Sequence, residues 1–397
     1  MKGINLRKNI HIYFLSSILV TISYSLPHSI LTVLFIAKGI SLSQILMIQS
    51  AYSLAVMLFE FPSGVTADIF SKKDMYLISK SLLIILYIII IYSNSFWLLY
   101  LAWFIYGIAT AFDSGTIDAD LVNQIKESKN IELSSFIATD SRLSILSLLI
   151  GSTTGSIFYL YFGTGIYFLS ILFCMLAIII TFFFFQESTI QKEVKNPRIN
   201  DFKKHILKGF KELKNSNMMR FVIILEFLTQ IFFQTHFQLW QAFLIEKDIP
   251  STLFSLFYIL FQVVALISYS IDSHKITALA KFKLYSIPLG FLPLVFLSNK
   301  PYIYIPVYIL YVFLFYIIQF ILKKYYTQIV SKDTISSLIS FKATISRLGS
   351  MITLFLLSIF ANFIPASSLI ISSFIFTFFS LTLGIAIFMK KYNSYTN

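Results

Sequence analysis

The sequence predicts an all-α membrane protein: twelve transmembrane helices in two pseudo-symmetric six-helix halves. Three observations carry this. First, 57% of the 397 residues are hydrophobic and only 12% are charged, with a mean hydropathy of +0.81. Soluble domains carry roughly 25% charged residues, and so few charges could not cover a water-soluble protein of this size. Second, apolar residues come in long runs such as 81–92 and 166–185. Long continuous runs read as membrane helices, whereas a β-barrel needs short alternating strands. Third, two landmarks recur at nearly one offset. Ala138-Thr139-Asp140-Ser141-Arg142-Leu143 returns as Ala343-Thr344-Ile345-Ser346-Arg347-Leu348, 205 positions later, and Asp68 returns as Asp272, 204 positions later. This repeat implies two halves in the same orientation.

In chain order, Lys2, Arg7 and Lys8 precede an apolar stretch that runs on to about Ile36 without a small-residue cleavage site. It reads as a retained first span rather than a signal peptide. The expected spans are 10–36, 42–69, 75–93, 96–120, 135–162 and 165–186, then 219–245, 251–272, 281–298, 301–323, 336–362 and 367–389. Each is long enough to cross a ~30 Å hydrocarbon core. Pro288 and Pro293 interrupt the ninth. Residues 187–218 form the one long polar segment and separate an N-terminal half, 1–186, from a C-terminal half, 219–397. Phe202, Ile206, Phe210 and Leu213 give that linker a helical spacing suited to anionic lipid headgroups.

Lysine and arginine fall on one side of this topology. Lys72, Lys73, Lys80, Lys126, Lys129, Lys275, Lys323, Lys342, Lys390 and the linker share a side with both termini. The opposite side holds Lys38, Lys247 and Lys300. That asymmetry places both termini in the cytoplasm, and low Gly with many Ile, Lys, Asn and Phe suggests a bacterial genome, so the expectation is a multi-pass protein of the bacterial cytoplasmic membrane. The net charge of +13 is therefore topological and implies no nucleic-acid partner. Cys174 is the single cysteine, so no intrachain disulfide forms, and no His or Cys cluster suggests a metal. No phosphate-binding loop or nucleophile motif is present, so the expectation is a non-enzyme without cofactor.

The stretch 59–80, FEFPSGVTADIFSKKDMYLISK, carries a resemblance. Gly64-Val65-Thr66-Ala67-Asp68 followed by Ser71-Lys72-Lys73 resembles the hairpin signature after helix two of the major facilitator superfamily. Glu60-Phe61-Pro62-Ser63 resembles the Glu-x-Pro-Thr form of its drug-exporter-like branch. Residues 107–119, GIATAFDSGTIDA, are similar to that branch's helix-four pattern. Ser71 and Lys72 depart from the usual Gly and Arg, and Asp113 lies where that helix often carries an Arg. Helix five keeps only Gly151 and Gly155 of the exporters' glycine pattern. The resemblance implies a twelve-span secondary transporter. It also implies a gate in which Asp68 meets the start of helix eleven and Lys72 meets Asp118 or Asp120.

Charged groups inside spans are costly and so are functional candidates. Glu60, Asp113, Arg142 and Glu226 each lie about 10–13 Å from the predicted cytoplasmic ends, at 1.5 Å per residue. Asp113 and Arg142 are expected to pair with each other. Glu60 and Glu226 have no sequence-local cation and are candidates to exchange a proton. Span seven carries Glu226, Gln230, Gln234, Gln238 and Gln241 at a spacing of mostly four, which puts them on one face. Such a face suits a water-filled cavity better than lipid. Trp240 and His236 lie nearby, and span one adds Ser16, Thr21, Tyr24, Ser25 and His28.

These residues predict proton-coupled efflux of amphiphilic or hydrophobic small molecules by a monomer that alternates access. Nutrient uptake, lipid flipping, or a non-transporting receptor or scaffold are the alternatives on the same fold.

Overall fold

The computed structural model describes residues 6–69, 71–114, 116–128, 131–187, 217–269, 286–329 and 335–396. Every element among them is helical. The chain divides into two compact units, Met1–Pro197 with Ser251–Leu256, and Arg198–Pro250 with Phe257–Asn397. Most of the polar linker, Asp272 and the first part of the ninth expected span lie outside the described residues.

The first unit holds α1 (Leu6–Ser25), α2 (Leu31–Ala37), α3 (Leu42–Ile69), α4 (Lys72–Tyr92), α5 (Phe96–Asp113), α6 (Ile117–Glu127), α7 (Leu133–Phe162) and α8 (Ile166–Phe184). The second holds α9 (Asn217–Glu246), most of α10 (Phe254–Tyr269), α11 (Ser286–Phe291), α12 (Pro301–Ile329), α13 (Ile335–Phe360) and α14 (Ala366–Thr396). Among the described residues, nine stretches are long and apolar enough to cross a membrane. One of them, Leu133–Phe184, contains both α7 and α8. The first expected span is α1 and α2 with a turn at residues 26–30, and the ninth is the short apolar stretch Ile287–Leu297.

Several boundaries differ from expectation, and the fourth span is the one that bears on the site. The fourth span, expected over 96–120, stops at Asp113, and a separate helix starts at Ile117. Its Asp-Ser-Gly-Thr sequence favours local side-chain bonds over continued helix. Thr116 Oγ1 donates to the Asp113 carbonyl at 2.8 Å.

A polar seam of heptad spacing ties α1 to α8. Asn9 and Gln186 exchange hydrogen bonds of 2.7 and 3.1 Å. Ser16 reaches Thr181 Oγ1 at 3.0 Å, and Ser23 and Ser170 donate to each other's carbonyls at 2.8 Å. Small polar side chains of this kind let apolar helices approach closely and pair across the contact. The second unit is centred instead on aromatic rings. Phe232 stacks on Phe315 at 3.6 Å, beside Phe374, Tyr308 and Tyr311.

Both units share a turn that the sequence landmarks did not include. After α2, Gly39 takes φ +79°, and Ile40 N donates to the Phe35 carbonyl at 3.0 Å. After α9, Asp248 takes φ +56°, and Ile249 N donates to the Leu244 carbonyl at 3.0 Å. This is the same helix-ending motif twice. Lys38 Nζ then donates to the Ser93 carbonyl and Asn94 Oδ1, both at 3.0 Å. Lys247 Nζ does the same to Ser298 and Asn299, at 2.9 and 3.3 Å. Each unit thus ties the end of one hairpin to a Ser-Asn loop through a matching lysine.

Candidate functional site

In the first unit, the most deeply buried charge among the described residues is Lys80. It lies on α4 at 2% exposure, eight residues inside the helix. Its Nζ is 2.6 Å from Asp113 Oδ1 at the end of α5 and 4.5 Å from the centre of the Tyr76 ring. Asp113 therefore pairs with Lys80, not with Arg142, which is exposed on α7. The physical reason is adjacency: α4 and α5 form a hairpin that brings the early part of one helix beside the end of the other. The Asp113 side chain is 40% exposed, against 2% for Lys80.

The hairpin residues have separate settings. Gly64 and Asp68 lie in the last turns of α3, the Asp68 side chain being outside the described residues, and Glu60 is half-buried on the same helix. Ser71 caps α4, its Oγ accepting from Asp74 N at 2.9 Å. Lys72 is half-buried in the first turn of α4. Lys73 Nζ donates to the carbonyls of Phe182 and Phe185, at 2.7 and 2.9 Å, and so closes the end of α8. Asp118 is exposed in the first turn of α6, while Asp120 is buried and accepts from Gln124 Nε2 at 2.8 Å. The rings of Tyr24 and His28 lie 5.6 Å apart where α1 ends.

In the second unit, the span-seven residues build a polar row between α9 and α13. Glu226 is 5% exposed, and its Oε1 is 2.7 Å from Lys342 Nζ. Its Oε2 is buried with no hydrogen-bond partner. Eight residues further along both helices, Ser350 accepts from Gln234 Nε2 at 3.0 Å and lies 3.1 Å from Gln230 Oε1, to which it donates. Gly349 faces the Phe227 ring and the Gln230 stem, which lets α13 approach α9 there. Gln238 is half-buried further along, and Gln241 is buried.

His236 and Trp240 have a different setting from the glutamine row. His236 is buried in the aromatic core, its Nδ1 3.1 Å from Tyr308 OH and its ring 4.8 Å from Phe261. Trp240 is buried edge-on to Phe261 at 5.5 Å. A small apolar pocket opens here, with Trp240, Phe243, Phe261, Tyr304 and Tyr308 among its lining residues.

Sequence reasoning singled out Asp113 and Glu226 and missed the lysines that pair with them. Lys80 and Lys342 stand eight and seven residues inside their helices, a depth at which a cation marks a partner rather than a loop.

The family model described as Major Facilitator Superfamily matches residues 13–389. The chain belongs to the Major Facilitator Superfamily. Members of this superfamily are transporters rather than enzymes. Solved structures give the same fold at low identity. The nucleoside transporter NupG is 12% identical with a TM-score of 0.74, covering 98% of this chain and 99% of its own. A bacterial homologue of the iron transporter ferroportin, in an inward-facing state, is 14% identical with a TM-score of 0.74, covering 97% and 98%. A bacterial homologue of the lysosomal transporter Spinster is 12% identical with a TM-score of 0.66, covering 98% and 97%. No curated protein matches the sequence. The structural likenesses therefore speak for the fold, and substrate has to be argued from this chain's own residues.

Proposed function

We propose that this superfamily member is a monomeric, proton-coupled secondary transporter of small molecules, with both termini in the cytoplasm of a bacterial cell. The observation that carries the reading is Glu226. The described helices of the second unit hold two carboxylates, Glu226 and Glu246. Glu246 is committed to capping α14, where it accepts from Ala366 N and Ser367 N. Glu226 alone is buried, paired to a cation, and left with one unpartnered oxygen that a proton can occupy. Moving one charge through 100 mV supplies about 2.3 kcal/mol to drive such a cycle. Glu60 is the second candidate, and the Gly64, Asp68, Lys72, Lys73 hairpin with Asp118 and Asp120 is the proposed gate. The exporter-like stretches at 59–80 and 107–119 suggest efflux of amphiphilic molecules as the direction.

The test is reconstitution into liposomes with an internal pH dye and an imposed proton gradient, across a panel of hydrophobic cations, organic acids and lipids. Substrate-dependent proton movement should appear and be lost in Glu226→Gln at unchanged protein level. A receptor or scaffold would bind ligand, move no protons, and tolerate both Glu60→Gln and Glu226→Gln.

A further inference from the structure

We propose that the glutamine row of α9 reads an uncharged polar part of the transported molecule, one whose hydroxyl or carboxamide groups both donate and accept hydrogen bonds. This rests on the reading of the chain as a transporter and adds the class of its substrate.

The row spends only part of its bonding capacity on holding helices together. Gln234 Nε2 donates to Ser350 at 3.0 Å, and Ser350 shares its own proton between Gln230 Oε1 at 3.1 Å and the Ser346 carbonyl at 3.0 Å. A carboxamide carries two N–H donors and a carbonyl oxygen with two lone pairs. Gln230 therefore keeps its amide nitrogen, and Gln234 its carbonyl oxygen, without a hydrogen-bond partner among the described residues. Gln238, one turn further, makes no hydrogen bond through its side chain among them. All three side chains are half-buried. The polar contact between α9 and α13 uses Gln230, Gln234 and Ser350, so it gives no reason for Gln238. Unbonded carboxamides are unfavourable against hydrocarbon, and three at successive turns suit a polar ligand.

The row itself carries no charge. Glu226, on the same face, is paired with Lys342 at 2.7 Å. The next acid along α9 is Glu246, which caps α14. Arg347 follows Ser346 by one residue, so it leaves α13 about 100° round the helix from it. An ionic ligand thus meets carboxamides here rather than an opposite charge. An apolar ligand would strip water from the amide atoms and return no hydrogen bond, which is unfavourable. A group that accepts from Gln230 and donates to Gln234 replaces both. The glutamines step about 6 Å apart, at 1.5 Å per residue, so the polar part that fits them spans about 6–12 Å.

The experiment is thermal-shift titration of the purified full-length protein with one carbon scaffold carrying, in turn, hydroxyls, carboxamides, a carboxylate, an amine or hydrogen alone. The hydroxyl or the carboxamide member should bind, and whichever binds more tightly identifies the group. The acid, the amine and the hydrocarbon should bind about tenfold more weakly or not at all. Gln238→Leu removes no hydrogen bond from the fold, so it should keep the melting temperature of the free protein and lose about tenfold in affinity for the uncharged ligand. Gln234→Glu should turn the preference towards the amine, a change that a purely structural glutamine would not produce. Equal or tighter binding of an ionic or hydrocarbon member, no binding of either uncharged member, or full affinity in Gln238→Leu overturns the proposal. Proton movement driven by an acid or an amine would keep the transporter reading and overturn the uncharged class. The predicted binding pattern without proton movement would do the reverse.

Discussion

Lys80 and Asp113 are one ion pair with two different environments, and the difference sets what each substitution does. Removing the carboxylate leaves an ammonium at 2% exposure with no countercharge, whereas removing the lysine leaves an acid that is 40% exposed. Breaking a buried pair costs about 3–5 kcal/mol when the remaining charge stays buried. Asp113→Asn should therefore destabilise by about 3 kcal/mol, and Lys80→Met by about 1 kcal/mol after allowance for solvation of the remaining acid. Thermal unfolding of the detergent-solubilised protein measures both, and equal losses would contradict the asymmetry. The acids themselves were legible in the sequence, because a carboxylate within an apolar run has no other reading than a site or a pair. Their partners were not. Arg142 was chosen by span order, yet the hairpin of α4 and α5 puts Lys80 closer. Lys342 likewise reads as a topology signal from its side of the membrane, although it stands inside α13 beside Glu226.

Helix identity and order followed from apolar length. The departures were local, at 114–116 and in the proline-broken ninth span, where residues that compete for backbone bonds or lack an N–H outweigh hydropathy. The matching lysine turns show what periodic landmarks missed, since Lys38 and Lys247 stand 209 positions apart rather than 205. Lys38→Met and Lys247→Met should each cost about 1 kcal/mol, because each removes two hydrogen bonds from an ammonium. A measurable loss in one and none in the other would break the equivalence of the two turns. Asp248 sits in the left-handed region that its counterpart Gly39 occupies without strain. Asp248→Gly should therefore stabilise by about 1 kcal/mol, read from the same unfolding curves. Gly155 is under a packing constraint instead: a Cβ there would collide with the Leu26 carbonyl at the turn after α1. Gly155→Ala should cost about 3 kcal/mol or prevent accumulation, while Gly165→Ala, which meets only the Phe162 stem at 3.3 Å, should be mild.

At the scale of the whole chain, the duplication gives two units with the same turns and different interiors. The first is pinned by a polar seam and a buried Lys80–Asp113 pair, and the second by an aromatic core beside a polar row. Pairs made on one unit's own helices leave that unit intact when access alternates, which suits a carrier whose second unit holds the proposed coupling acid. The measurement that tests this account most directly is proton movement driven by substrate alone. Proteoliposomes with equal pH inside and out receive a gradient of the compound that binds the protein most tightly. The account predicts proton flux that appears with the substrate gradient and disappears in Glu226→Gln. Substrate flux with no accompanying protons, or proton flux unchanged in Glu226→Gln, would contradict it.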